Sequence, residues 1–373
     1  MLIYFIVPLM IVYCYFLSRV TMYRNSDRYN DERFVARNNS TIFFWFIILL
    51  AFASLKGENV GVDYPMYYGF FLQENYHALL EPGINFIYDI AVHFDSFYIF
   101  AASVYFLFLF FILLGIWRNS PNYLISIFLF IIMHIYYNAF NQIRQLIAVS
   151  IIFCFAHILV SNKKLDKLIY FSILLLALLF HNSAIFLFIL FFLPKKTFHP
   201  KVVIPLFVVT AVLYFIPSVK NQIGELIISI SGTYGEKYSQ GTYNFFGVNK
   251  EKGLMQFIPV VIQMFIVSCS LYLTKSKANL HINDRLYQFS TNAVVVNLCL
   301  YSLAGIEAID RLQIYFSCFN IYYYSYLLHI LFNYENKLIG QLFACFIVSF
   351  WILYYILRLM INVHGVVPYK LFI

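Results

Sequence analysis

Charge is what this sequence has least of. Only 11% of its 373 residues are Asp, Glu, Lys or Arg, 62% are hydrophobic, and mean hydropathy is +0.77. A soluble domain carries about 25% charge to cover its surface, so an ordinary soluble protein is excluded and the membrane class is indicated. Paired cysteines are missing too. All six cysteines lie inside apolar runs, with no Cys-x-x-Cys and no paired-His spacing. Neither a disulfide framework nor a metal site is expected, and no cofactor motif is present. The net charge of +8 stands on no basic stripe of a soluble domain, so nucleic acid is not an expected partner. Met1-Leu2-Ile3-Tyr4 lacks a basic leader, and the first apolar run meets Arg19 without a small-residue cleavage site. It reads as a retained first span.

What the sequence does have is aromatic apolar length. Phe (43) and Tyr (32) are abundant, and Tyr favours the headgroup level of a membrane. Runs near 2–18, 41–56, 97–117, 121–138, 145–161, 168–182, 183–194, 202–217, 253–274, 286–304, 312–333 and 338–360 approach the ~20 residues that a span needs. The expected fold is an all-α, polytopic transmembrane helical bundle of about twelve spans, a single integral membrane domain over residues 1–373. Residues 84–95 are too short and too charged to cross, and read as an interfacial or re-entrant helix. Sixteen of the 25 Lys and Arg residues fall in one set of alternate loops, led by Arg19, Arg24, Arg28, Arg33 and Arg37; nine fall on the other side. Positive charge marks the cytoplasm, which places both termini and the loops 57–96 and 218–252 outside. Those two loops form the expected substrate-facing side.

Some polar residues fit poorly with anchoring. Asn141-Gln142-Ile143-Arg144-Gln145 lies between two apolar spans, and helical spacing puts Asn141, Arg144, Gln145 and Ala148 on one face. A charge at membrane depth normally faces a bundle interior or wet cavity; a snorkelling arginine would need no flanking amides. His181-Asn182-Ser183 interrupts the stretch from Leu168 to Leu193 at the same level as Arg144. Asp310-Arg311 opens a later span on that side, with Glu307 near enough for a local pair. Two arginines at one level suit a diphosphate dianion. The first outer loop carries Gly61-Val62-Asp63-Tyr64 and the turn Glu81-Pro82-Gly83. Asp63 and Glu81, taken singly, could merely solvate it. The stretch from Ser231 to Asn244 mixes aromatic rings with hydroxyls and amides, which suits sugars and an interfacial lid equally.

Four of these motifs, in order, resemble the EpsG-like family of polysaccharide polymerases. Gly61-Val62-Asp63-Tyr64 with Glu81-Pro82-Gly83 resembles its first outer loop, and Asn141 through Ala148 its Arg-Gln motif. His181-Asn182-Ser183-Ala184 is similar to its His-x-Ser-Ala motif, and Arg311-Leu312-Gln313-Ile314-Tyr315 to its late Arg-containing span. The resemblance runs over roughly residues 1–330 and leaves 218–252 unmatched. It implies a GT-C-like polymerase or ligase architecture in the bacterial inner membrane, with the active site facing the periplasm. It implies a Wzy-type O-antigen or capsule polymerase that joins two undecaprenyl-diphosphate-linked oligosaccharides without an obligatory metal. A chain-length regulator and a flippase of the same pathway are the implied partners, besides the bilayer.

Such chemistry needs cations that stabilise the leaving diphosphate and an acceptor for the hydroxyl proton. Arg144 and Arg311 are the expected clamp. His181 is either a third diphosphate ligand or the base, with Glu81 and Asp63 as carboxylate alternatives for the base. Asn141, Gln145, Tyr64, Ser183 and Asp310 are the expected substrate contacts. A lipid-linked oligosaccharide flippase and an O-antigen ligase remain rivals. A transporter, however, places polar groups near the midplane, often with related halves, and no internal repeat is visible here.

Overall fold

The computed structural model describes residues 2–24, 39–226, 229, 253–275 and 285–371. The stretch from Ser231 to Asn244, and much of the arginine-rich loop after the first span, lie outside the described residues. Described elements are helical; the one extended pairing among them is an isolated bridge between Lys56 and Leu371. An apolar run in lipid must satisfy its backbone internally, and a helix does so locally.

Each expected span coincides with helical structure, but several are broken. The 121–138 run is a helix Tyr123–Ile132, a left-handed His134 (φ 64°) and a further turn Ile135–Asn138. The 145–161 run holds a helix Ile143–Cys154, about 18 Å long at 1.5 Å per residue, against a hydrocarbon core of about 30 Å. The 183–194 run is a 3-10 helix, Asn182–Phe192. Among the described residues, Phe97–Asn119, Leu254–Leu273 and Lys337–Met360 are long and apolar enough to cross alone. The pair Pro200–Tyr214 and Pro217–Leu226, bent by 96°, would make a fourth. The short helix expected near 84–95 is present at Pro82–His93, burying Ile84, Ile87, Tyr88 and Ala91 on one face.

The chain divides into two compact units, Met1–Phe191 with Tyr324–Ile373, and Phe192–Tyr323. In the first, Phe97–Asn119 is central, with Phe100, Val104, Phe108 and Ile112 fully buried. Gly115 allows the helix Ile143–Cys154 to come close, since a Cβ there would lie 2.8 Å from a ring carbon of Phe153. Leu168, Leu175, Leu353 and Leu357 stay exposed on other helices, as lipid-facing side chains do. After Met360 the chain folds back over the 52–61 segment. Gly61 N–H donates to the Gly365 carbonyl at 3.0 Å, and Tyr369 stacks on Phe52 with ring centroids 4.3 Å apart.

In the second unit, the buried Asn292 of helix Arg285–Leu300 organises the turn after Leu193. Its amide donates to the carbonyls of Pro194 and Lys196, and its oxygen accepts from Phe198 N–H, all at 2.8 Å. A buried amide with every bond made specifies one chain path. Tyr214 stacks on Phe257 at 4.1 Å and joins two further helices of this unit.

Candidate functional site

The centre of the first unit begins at Glu81-Pro82-Gly83. A residue before proline is held extended, and Glu81 is so (φ −72°, ψ 153°), with Pro82 starting the helix. Gly83 then approaches the end of the helix Lys164–Leu178. Its N–H donates to the Leu179 carbonyl at 2.8 Å, and a Cβ would sit 2.8 Å from that same oxygen. Glycine is needed for this contact, and the contact brings Glu81 to His181.

Glu81 is 5% exposed and takes three partners. One oxygen accepts from Arg144 Nη1 at 2.7 Å. The other accepts from His181 Nδ1 at 2.9 Å and from Asn182 N–H at 3.3 Å. Arg144 Nε donates to the buried Tyr67 hydroxyl at 3.2 Å, and Tyr88 OH donates to the Tyr67 carbonyl at 2.9 Å. Burial alone would raise the Glu81 carboxyl, but the His181 hydrogen bond and the Arg144 charge outweigh it and hold it at about 2. A carboxylate so depressed is a weak base at neutral pH. Its geometry instead orients two other groups.

Histidine benefits most. With Nδ1–H given to the carboxylate, Nε2 of a neutral imidazole is the acceptor. In this structure His181 Nε2 is buried with no hydrogen-bond partner. Arg144, its side chain 21% exposed, keeps N–H groups beyond those used by Glu81 and Tyr67. The centre therefore offers an oriented proton acceptor and a fixed cation, joined through one carboxylate.

The other expected site residues fall into different settings. Asn141 does not share the arginine helix, which starts at Ile143. Its N–H donates to the Asn138 carbonyl, in the turn before that helix. Its side chain, 3% exposed, brackets the first loop: Oδ1 accepts from Val62 and Asp63 N–H, and Nδ2 donates to the His364 carbonyl at 3.0 Å. Gly61 explains the proximity, with φ +110° and space for a Cβ only 2.7 Å from the Phe140 carbonyl. Gln145 is buried on the arginine helix, and Ser183 is half-buried in the 3-10 helix. Asp63, half-buried, precedes the helix Tyr64–Gln73 without capping it. Tyr64 is 1% exposed, and its ring face meets Lys56 Nζ.

Arg311 belongs to the second unit. Its Nε donates to Glu307 at 3.0 Å, one turn back on the same helix, and both side chains are partly exposed. Asp310 accepts from Gly305 N–H at 3.3 Å. Sequence reading passed over Tyr67, Tyr88 and Lys56. The crowding of tyrosines in Tyr64-Pro65-Met66-Tyr67-Tyr68 was the available signal for Tyr67. Lys56, fully buried with Tyr105 and Phe140 rings about it, had none.

Lipid-facing helices around a buried Arg–Glu–His centre define a polytopic membrane protein with a polar centre near helix ends. The chain belongs to the EpsG family, whose model matches residues 39–371, and all four motifs lie within that stretch. This is a Wzy-like polymerase family, and membership points to a polysaccharide polymerase-like membrane protein. No curated protein and no solved structure matches the chain.

Proposed function

We propose that this chain is a metal-independent glycosyltransferase of the inner membrane, a polymerase of O-antigen or related surface polysaccharide. It transfers a growing glycan from undecaprenyl diphosphate onto a repeat unit carried by a second undecaprenyl diphosphate, at the periplasmic face. The observation that carries this reading is the Glu81 carboxylate held between Arg144 and His181. An activated glycosyl diphosphate needs a cation for its leaving group and an acceptor for one proton. The acceptor hydroxyl oxygen bonds to the anomeric carbon as the bond from that carbon to the phosphate oxygen breaks. The hydroxyl proton passes to His181 Nε2, and the electron pair leaves with the diphosphate, whose charge Arg144 stabilises. Arg311, paired with Glu307 on its own helix, is the other arginine that the motif resemblance assigns to the diphosphate. Glu81 serves as a positioning residue, and Asp63 is the remaining carboxylate for the proton.

The excess of Lys and Arg in the opposite loops supports the outward orientation. Shorter helices paired end to end would complete about twelve crossings in a GT-C-like bundle. A chain-length regulator and a flippase of the same pathway are the expected partners. The test is the phenotype of a deletion strain. Polymerase loss leaves single repeats on the lipid A core. A bare core would instead identify a ligase, and repeats trapped at the cytoplasmic leaflet a flippase; either result overturns the proposal.

A further inference from the structure

A second basic cluster lies in the first unit, away from Glu81. Arg358, in the last turn of the helix Lys337–Met360, donates from Nη1 to Tyr354 OH at 2.6 Å. Its Nη2 meets His364 Nε2 at 2.9 Å, and its guanidinium lies over the Tyr354 ring. Arg358 Nε is buried without an acceptor, and among the described residues no carboxylate pairs with this arginine. Because the guanidinium can only donate, His364 Nε2 accepts and the ring is neutral. Burial, with the Arg358 charge beside it, holds His364 down at about 4. In the same electrostatic neighbourhood sits His134, fully buried, with its ring 5.2 Å from that of Tyr355.

A snorkelling arginine would extend its head group freely towards water or lipid. Arg358 is instead held by a phenol, an imidazole and an aromatic face, beneath a chain that folds back. A buried donor without an acceptor costs about 1–3 kcal/mol, and Arg358 Nε is such a donor on an uncompensated cation. An anion with several acceptor oxygens answers both needs. The cluster also adjoins the Arg144 centre. The His364 carbonyl accepts from Asn141 Nδ2, and Asn141 is three residues from Arg144, at most about 11 Å along the chain.

We propose that Arg358 and His364 form a second phosphate-ester site, which holds the diphosphate of the acceptor lipid while Arg144 takes that of the donor. This rests on the polymerase reading, since that reaction needs two lipid-linked diphosphates side by side. Asn141 then couples the sites, with one amide bonded to the His364 carbonyl and to the loop that carries Asp63.

The experiment is equilibrium binding of farnesyl diphosphate to the purified full-length protein in neutral-lipid nanodiscs. The wild type should show two classes of site. Arg358→Gln should weaken one class by about tenfold or more, as loss of a charge-assisted pair does, and leave the other. Arg144→Gln should do the reverse, and Arg358→Lys should keep part of the affinity, having charge without the planar fork. His364→Ala, with a melting curve to verify folding, should repeat the Arg358→Gln pattern and stands in for it if that variant unfolds. If Arg144→Gln abolishes all binding and Arg358→Gln and His364→Ala change nothing, the second site is overturned and the polymerase reading survives. If phosphatidylglycerol in the nanodisc displaces the Arg358-dependent class alone, the site takes ordinary lipid headgroups, and the acceptor assignment fails. If the wild type binds neither farnesyl diphosphate nor inorganic diphosphate, the polymerase reading falls with it.

Discussion

Two arginines, one in each unit, look alike in the sequence and differ in the structure. Arg144 is partly buried, bonded to a carboxylate 63 residues away and to the Tyr67 hydroxyl. Arg311 pairs with Glu307 four residues back on its own helix, with both side chains partly in the open. The first pair exists only because three distant segments meet, whereas the second would form on almost any exposed helix. A charge set by long-range packing is preorganised and expensive to disturb. A partly exposed pair one turn apart on a helix contributes far less. The comparison shows why an arginine in a membrane protein is better judged by its partners than by its depth.

The comparison can be broken most easily at Arg144. Arg144→Ala should reduce polymer synthesis by about 10²–10³-fold and also lower stability, because it strands a buried carboxylate. A normal ladder of chain lengths at wild-type expression would sink the clamp model. His181→Gln keeps a hydrogen-bonding side chain near Glu81 but removes the proton acceptor. A loss of about 10²-fold in turnover is expected, and near-full activity would mean that His181 is not the base. Arg311→Ala should cost about tenfold in activity, yet change stability by no more than the ~1 kcal/mol typical of exposed pairs. A large loss of stability would show that Arg311 is packed as Arg144 is.

The smallest effect is one of pH. Glu81 titrates near 4.5 when unperturbed and at about 2 in the fold, so the unfolded chain binds the proton first. Its stabilising contribution is complete above about pH 5 and fades as pH falls through 2. Near neutrality, therefore, Glu81 should make no contribution to the pH dependence of thermal stability in detergent. Glu81→Gln should flatten the acid limb of that curve; an unchanged limb would place the depressed carboxyl elsewhere.

Helix positions were readable because apolar run length is a local property. The short helix expected at 84–95 stands at Pro82–His93. Breaks were harder. The left-handed turn at His134 and the 3-10 path of Asn182–Phe192 depend on what packs against them, and their sequences are as apolar as an unbroken span. Asn141 shows the cost of extending a periodicity past a helix end. Spacing put its amide on the Arg144 face, while in the structure it brackets the first loop and the returning C-terminal segment. Tyr67 and Lys56 gave little warning, since a buried phenol and a buried amine are singled out by their neighbours alone.

Composition, run length and the excess of positive charge in alternate loops by themselves determined that this is a helical membrane protein, and they set its expected orientation. The ordered motifs determined its family. The tertiary structure alone decided that Glu81 joins Arg144, and reaches His181 across 100 residues of chain, while Arg311 stays with Glu307. Hydropathy and helical period act over a few turns, so they are written along the chain. A contact between distant segments depends on how closely backbones can approach, and here a glycine opposite the Leu179 carbonyl makes that approach possible.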